Sequence, residues 1–75
     1  MLDKAIEIIR ETLRLGDVEL TEDTNLKDDL GADSLDLFQI IMGLEEEFDV
    51  EIAPEKAESI KTVEEALEMI KNELN

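Results

Sequence analysis

Residues 28–48 read DDLGADSLDLFQIIMGLEEEF, a tight acidic loop running into an apolar helical segment. Ser34 is a ready N-cap, because its hydroxyl can accept a bond from an otherwise unpaired N–H of the first turn. Asp33 and Asp36 put negative charge where the helix dipole favours it. The pattern predicts a helix from Ser34 to about Phe48. At about 100° per residue, Leu37, Ile40, Ile41, Leu44 and Phe48 share one sector, the width of a core-facing stripe. Leu35, Phe38 and Met42 form a second apolar stripe on the opposite side, bordered by Gln39, Glu45 and Glu46. Nothing else in so short a chain is available to cover it, so it is expected to face a partner.

Working outward, Leu2, Ala5, Ile6, Ile9 and Leu13 recur at helical spacing, with Arg10 and Arg14 near the negative pole of the dipole and Gly16 as the stop. A first helix is predicted over about Leu2 to Leu15. From Gly16 to Ala32 the pattern fades into Asp, Glu, Thr and Asn, with Val18, Leu20, Leu26 and Leu30 as apolar pins, which describes a long ordered loop. Beyond the central helix, Val50 and Ile52 lead to Pro54, a residue suited to the first position of a short helix running through Ser59. Thr62 and Glu65 make a Thr-x-x-Glu capping box ahead of Val63, Ala66, Leu67, Ile70 and Leu74, which lie on one face of a last helix from about Val63 to Leu74. No strand pattern or internal repeat competes. The expected fold class is all-α: one domain over residues 1–75, a small four-helix bundle with three longer helices, one short one and a long first loop.

Seventy-five residues are near the lower limit for a core without disulfides or metal. Only Phe38 and Phe48 are aromatic, so the core must be built from Leu, Ile, Val, Ala and Met. The 22 acidic residues outnumber 7 basic ones for a formal charge of −15. That balance argues against nucleic acid or an anionic membrane as partner and favours basic proteins. Cysteine and histidine are absent, which removes thiol chemistry by the chain itself, the usual general base and the usual zinc ligands. No apolar run reaches the roughly 18 residues of a membrane span, and the N-terminus lacks the pattern of a secretory signal. A cytoplasmic monomer without membrane insertion is expected.

Between Asp28 and Glu51 lie nine acidic residues and no Lys or Arg. Around the Leu35, Phe38, Met42 stripe, such a run suits fast electrostatic steering followed by a small apolar contact that releases again. Taken by position alone, Ser34 is an ordinary capping serine. Asp33 and Asp36 read as dipole-favoured charges rather than a metal site, and the spacing of an EF-hand loop is absent. An acidic regulatory protein that binds divalent cations, or a charge mimic of nucleic acid, would also satisfy the composition. Neither needs a serine at the helix start, and no constellation of side chains points to an enzyme.

LGADSLD, an apolar run and then LEEEF, followed by EIAPEKAESIKTVEEALEMI, resembles the acyl carrier protein family over nearly the whole chain. The resemblance implies that Ser34 of Asp33-Ser34-Leu35 receives 4'-phosphopantetheine from coenzyme A through a phosphodiester, with Asp33 and Leu35 beside it as cofactor-binding residues. A separate phosphopantetheinyl transferase does the chemistry, and a helix N-terminus suits the phosphate. It further implies that the central helix docks synthase enzymes bearing basic patches through Leu35, Asp36, Phe38, Gln39, Met42, Glu45 and Glu46. The core around Ile40, Leu44, Ile52, Ala57, Ile60 and Leu67 would part to hold an acyl chain. Fatty acid synthesis is the first expectation and a polyketide or lipid-modification pathway the second. Where fatty acid carriers commonly read DTVELVMALEEEF, bulk is added here at Leu37 and Phe38, a charge is lost at Gln39 and Gly43 replaces alanine. The family's proline after EI is shifted to Pro54.

Overall fold

A computed structural model of the chain describes residues 1–74. Among these residues four helices form: α1 (Leu2–Leu13), α2 (Ser34–Phe48), α3 (Pro54–Glu58) and α4 (Val63–Leu74). They build the expected all-α bundle. Its core joins Ala5 and Ile9 of α1, Leu37, Ile40, Ile41 and Leu44 of α2, and Val63, Ala66, Leu67 and Ile70 of α4. Ile52, Ala57 and Ile60 close it from the α3 side. Each of its Leu, Ile and Val side chains taken out of water contributes about 1.5 to 3 kcal/mol before chain entropy is set against it. Phe48, expected in the core stripe, is only half-buried at the edge of this cluster, and Leu74 at the end of α4 is exposed.

α1 ends two residues before the expected Leu15. Arg14, not Gly16, takes the left-handed cap conformation at φ 55°, and the Leu15 N–H donates to the Arg10 carbonyl. Gly16 is left-handed as well, at φ +66°, but lies beyond the cap. α3 begins at Pro54 as predicted and ends one residue early, with Ser59 as its C-cap. The Thr62 capping box forms: the Glu65 N–H donates to Thr62 Oγ1 (3.2 Å), and Glu65 Oε2 accepts from the N–H groups of Lys61 (2.7 Å) and Thr62 (3.3 Å).

The long loop is ordered by two means. Leu20, Leu26 and Ala32 are buried in the core, while the Val18 side chain stays exposed and the Val18 carbonyl instead accepts from Arg10 Nη2 at 2.7 Å. Its backbone is also fastened to the start of α4. The Leu26 N–H donates to the Lys61 carbonyl (2.8 Å), the Val63 N–H to that of Thr24 (3.2 Å) and the Glu64 N–H to that of Glu22 (3.0 Å). These bonds fix the level at which the loop enters α2.

Candidate functional site

The loop delivers Ser34 through a run of local bonds. Asn25 Oδ1 accepts from the N–H groups of Lys27 (3.0 Å) and Asp28 (2.8 Å), and Asp29 Oδ2 accepts from Asn25 N–H (2.8 Å). Gly31 turns the chain at φ +72°, a conformation that costs other residues more. Its N–H donates to the Lys27 carbonyl, and Ala32 N–H donates to that of Leu26, both at 3.0 Å. The chain then enters α2 with Asp33, not Ser34, as N-cap. The Asp36 N–H donates to Asp33 Oδ1 (2.9 Å) and the Asp33 N–H to Asp36 Oδ2 (3.2 Å), a reciprocal box of two carboxylates. Ser34 is therefore the first residue of the helix. Relieved of capping, its side chain is exposed, and among the described residues its hydroxyl makes no hydrogen bond.

Beside it lies a cavity of about 270 Å³ lined by Lys27, Ser34, Leu37, Phe38, Ala57 and Glu58. Leu37 and Ala57 belong at once to this wall and to the core. Of the residues assigned to an acyl pocket, Ile40, Leu44, Ile52, Ala57, Ile60 and Leu67 are all buried in one continuous cluster. Ala57 alone among them also reaches the cavity beside Ser34.

The outward face of α2 carries Leu35, Phe38 and Met42 with 64%, 38% and 58% of their surface in water. Gln39 and Glu46 are exposed beside them. Two residues assigned to the same face are turned to other work. Asp36 is held in the capping box, and Glu45 Oε2 accepts from the Ile52 N–H at 2.7 Å, fastening the α2–α3 connection. Asp33, assigned to the cofactor, likewise has its carboxylate committed to the Asp36 N–H. Past Met42 an open groove continues along Glu46, Asp49, Val50 and Pro54 toward Glu73. Among the described residues one ion pair forms, Lys4 with Glu7 at 3.9 Å, within α1. No three acidic side chains among them converge as a metal would require.

Two wall residues escaped the sequence pattern, Lys27 and Glu58. Lys27 had a signal, being the one basic residue between Arg14 and Lys56.

The model of the phosphopantetheine attachment site family matches residues 3–70. An acyl carrier protein of Sulfurovum sp. is 43% identical over 72 residues, 96% of each chain. The chain belongs to the acyl carrier protein family. A chloroplastic acyl carrier protein of Brassica napus is 51% identical over 69 residues, 92% of this chain. The chain spans about half the length of such chloroplast relatives (52%) and nearly all of the bacterial one. In solved structures, an acyl carrier protein of Mycobacterium tuberculosis superposes with a TM-score of 0.88 at 39% identity, with 95% of each chain covered. The acetyl actinorhodin acyl carrier protein of Streptomyces coelicolor superposes at 0.77 and 26% identity, covering 99% of this chain and 90% of that one. The carrier's prosthetic group is phosphopantetheine. The residues present fit it: an exposed, unengaged hydroxyl stands at a helix start beside a cavity partly walled by apolar side chains.

Proposed function

We propose that this carrier holds acyl intermediates as thioesters on a 4'-phosphopantetheine arm attached to Ser34, in fatty acid biosynthesis. It acts as one acyl-carrier domain over residues 1–75, a cytoplasmic monomer with no catalytic group of its own. The observation that carries this reading is the Ser34 hydroxyl, exposed and unengaged because Asp33 has taken over the cap. The arm supplies the thiol that a chain without cysteine lacks. Ser34 Oγ attacks the phosphorus that bears the pantetheine arm in coenzyme A: the new O–P bond forms as the diphosphate P–O bond breaks, adenosine 3',5'-bisphosphate leaves, and the hydroxyl proton passes to a base of the phosphopantetheinyl transferase.

Docking falls to Leu35, Phe38, Gln39, Met42 and Glu46, with Asp36 and Glu45 contributing charge at the border. Partner enzymes with basic patches meet an apolar stripe set in uncompensated negative charge, which favours rapid encounter and ready release. No helix among the described residues is long and apolar enough to cross a membrane, in keeping with partners met in solution. Past Leu37 and Ala57, an acyl chain enters among Ile40, Leu44, Ile52, Ile60 and Leu67, where each buried methylene is worth about 0.8 kcal/mol. Service in a polyketide or lipid-modification pathway is the second reading. Phe38 and Gln39 favour it, as the places where the docking stripe departs from the usual fatty acid pattern.

Incubation with a broad-specificity transferase and coenzyme A tests the assignment by intact mass. The wild-type chain is expected to gain one arm and one titratable thiol, and Ser34→Ala neither. Equal loading of Ser34→Ala, or no loading of the wild type, would refute it.

A further inference from the structure

We propose that Lys27 is the counter-charge for the phosphodiester formed at Ser34, and that it directs the start of the arm into the cavity between α2 and α3. The inference rests on Ser34 being the attachment site. A chain of formal charge −15 gains a further negative charge there. The start of α2 is a poorer anion site than a bare helix end, because its Asp36 N–H is spent on Asp33 Oδ1 and its Asp33 N–H on Asp36 Oδ2. Two carboxylates, Asp33 and Asp36, also stand on either side of Ser34 in the cap. The compensating charge must come from elsewhere.

Lys27 and Ser34 line the same cavity, and Lys27 is the one basic residue on its wall. It is exposed, and among the described residues it forms no ion pair, although Asp28 and Asp29 follow it directly. Its backbone is held on both sides, N–H to Asn25 Oδ1 and carbonyl from the Gly31 N–H, so the side chain starts from a fixed point. Glu58, on the same wall, repels an anion and so favours the Lys27 side. An ammonium on a flexible stem suits a single phosphodiester charge without demanding a set geometry.

The test compares wild type, Lys27→Gln, Lys27→Arg and, as a control for net charge, Lys56→Gln, each taken to full loading as judged by intact mass. The readouts are the melting temperature of the loaded form minus that of the unloaded form at low salt, and the 31P resonance of the phosphodiester. Lys27→Gln should lower the melting difference by roughly 2 to 4 °C relative to wild type, the scale of one exposed charge pair in a domain this small. It should also move the 31P resonance, whereas Lys27→Arg and Lys56→Gln should leave both near wild type. High salt should erase the contrast. If Lys27→Gln matches wild type in both readouts, or Lys56→Gln moves them as far, the proposal is overturned while the attachment site stands. A wild-type chain that gains no mass overturns both.

Discussion

Gly43 lies in the middle of α2, where a glycine ordinarily weakens a helix, and the reason it is there is on α1. A Cβ built at Gly43 would sit 2.9 Å from Ile8 Cγ2. Carbon atoms pack best at about 3.5 to 4.0 Å, so the added methyl would intrude by at least roughly 0.6 Å. Ile8 is β-branched and helical, with one strongly preferred χ1 rotamer, and its Cγ2 cannot swing aside cheaply. Gly43→Ala should gain about 0.5 to 1 kcal/mol of helix propensity and lose about 1 to 3 to overpacking. The expected net is a loss near 1 kcal/mol, or about 4 to 8 °C in melting temperature for a domain of this size. With Ile8→Ala already present, the same change should instead stabilise by about 0.5 to 1 kcal/mol. Urea denaturation of the four proteins of this cycle gives the coupling, expected at about 1 to 3 kcal/mol. A wild-type background in which Gly43→Ala stabilises as much as it does beside Ala would refute the close approach of α1 and α2. The glycine that departs from the alanine of the resembling pattern is thus matched to the isoleucine across from it.

Two further outcomes follow from the placement of side chains on α2. Because Asp33 carries the cap, Asp33→Ala should cost about 1 kcal/mol in urea denaturation, while Ser34→Ala should cost well under that; the reverse ranking would return the cap to Ser34. Phe38→Ala should stay within about 1 kcal/mol of wild type and slow turnover by a cognate synthase enzyme, whereas fully buried Leu44→Ala should lose about 2 to 5. Unfolding of the Phe38 variant would make that ring a core residue.

Much of the bundle was legible because its helices are strongly amphipathic. α2 and α4 have the bounds that periodicity and caps predict, since both open on a box that leaves little choice of register. The cap of α2 lies one residue before the serine that a capping preference picks out, although the sequence carries the signal for it. With Ser34 as cap, the third helical position would be apolar Leu37; with Asp33 as cap it is Asp36, which can return the bond. The end of α1 was harder to read: a left-handed arginine two residues ahead of a left-handed glycine runs against the conformational preference that made Gly16 the natural stop. The burial of Leu26 and its bond to Lys61 were out of reach of local pattern, because they depend on a partner distant in sequence. So does the commitment of Glu45 to the Ile52 N–H, invisible in a run of three glutamates.

The bonds from Glu22, Thr24 and Leu26 to the start of α4 close a ring of backbone that contains α2, α3 and Ser34, and leaves α1 outside it. Such a closure across distant positions carries a large entropic cost, and forms only when the packing of α2 on α4 rewards it. The ring is thus fastened by the same few residues, 61 to 65, that nucleate α4. A fray at that junction would slacken the loop that presents Ser34 before it disturbed α1. The placing of Ser34 is therefore tied, in this chain, to a turn nearly thirty residues downstream of it.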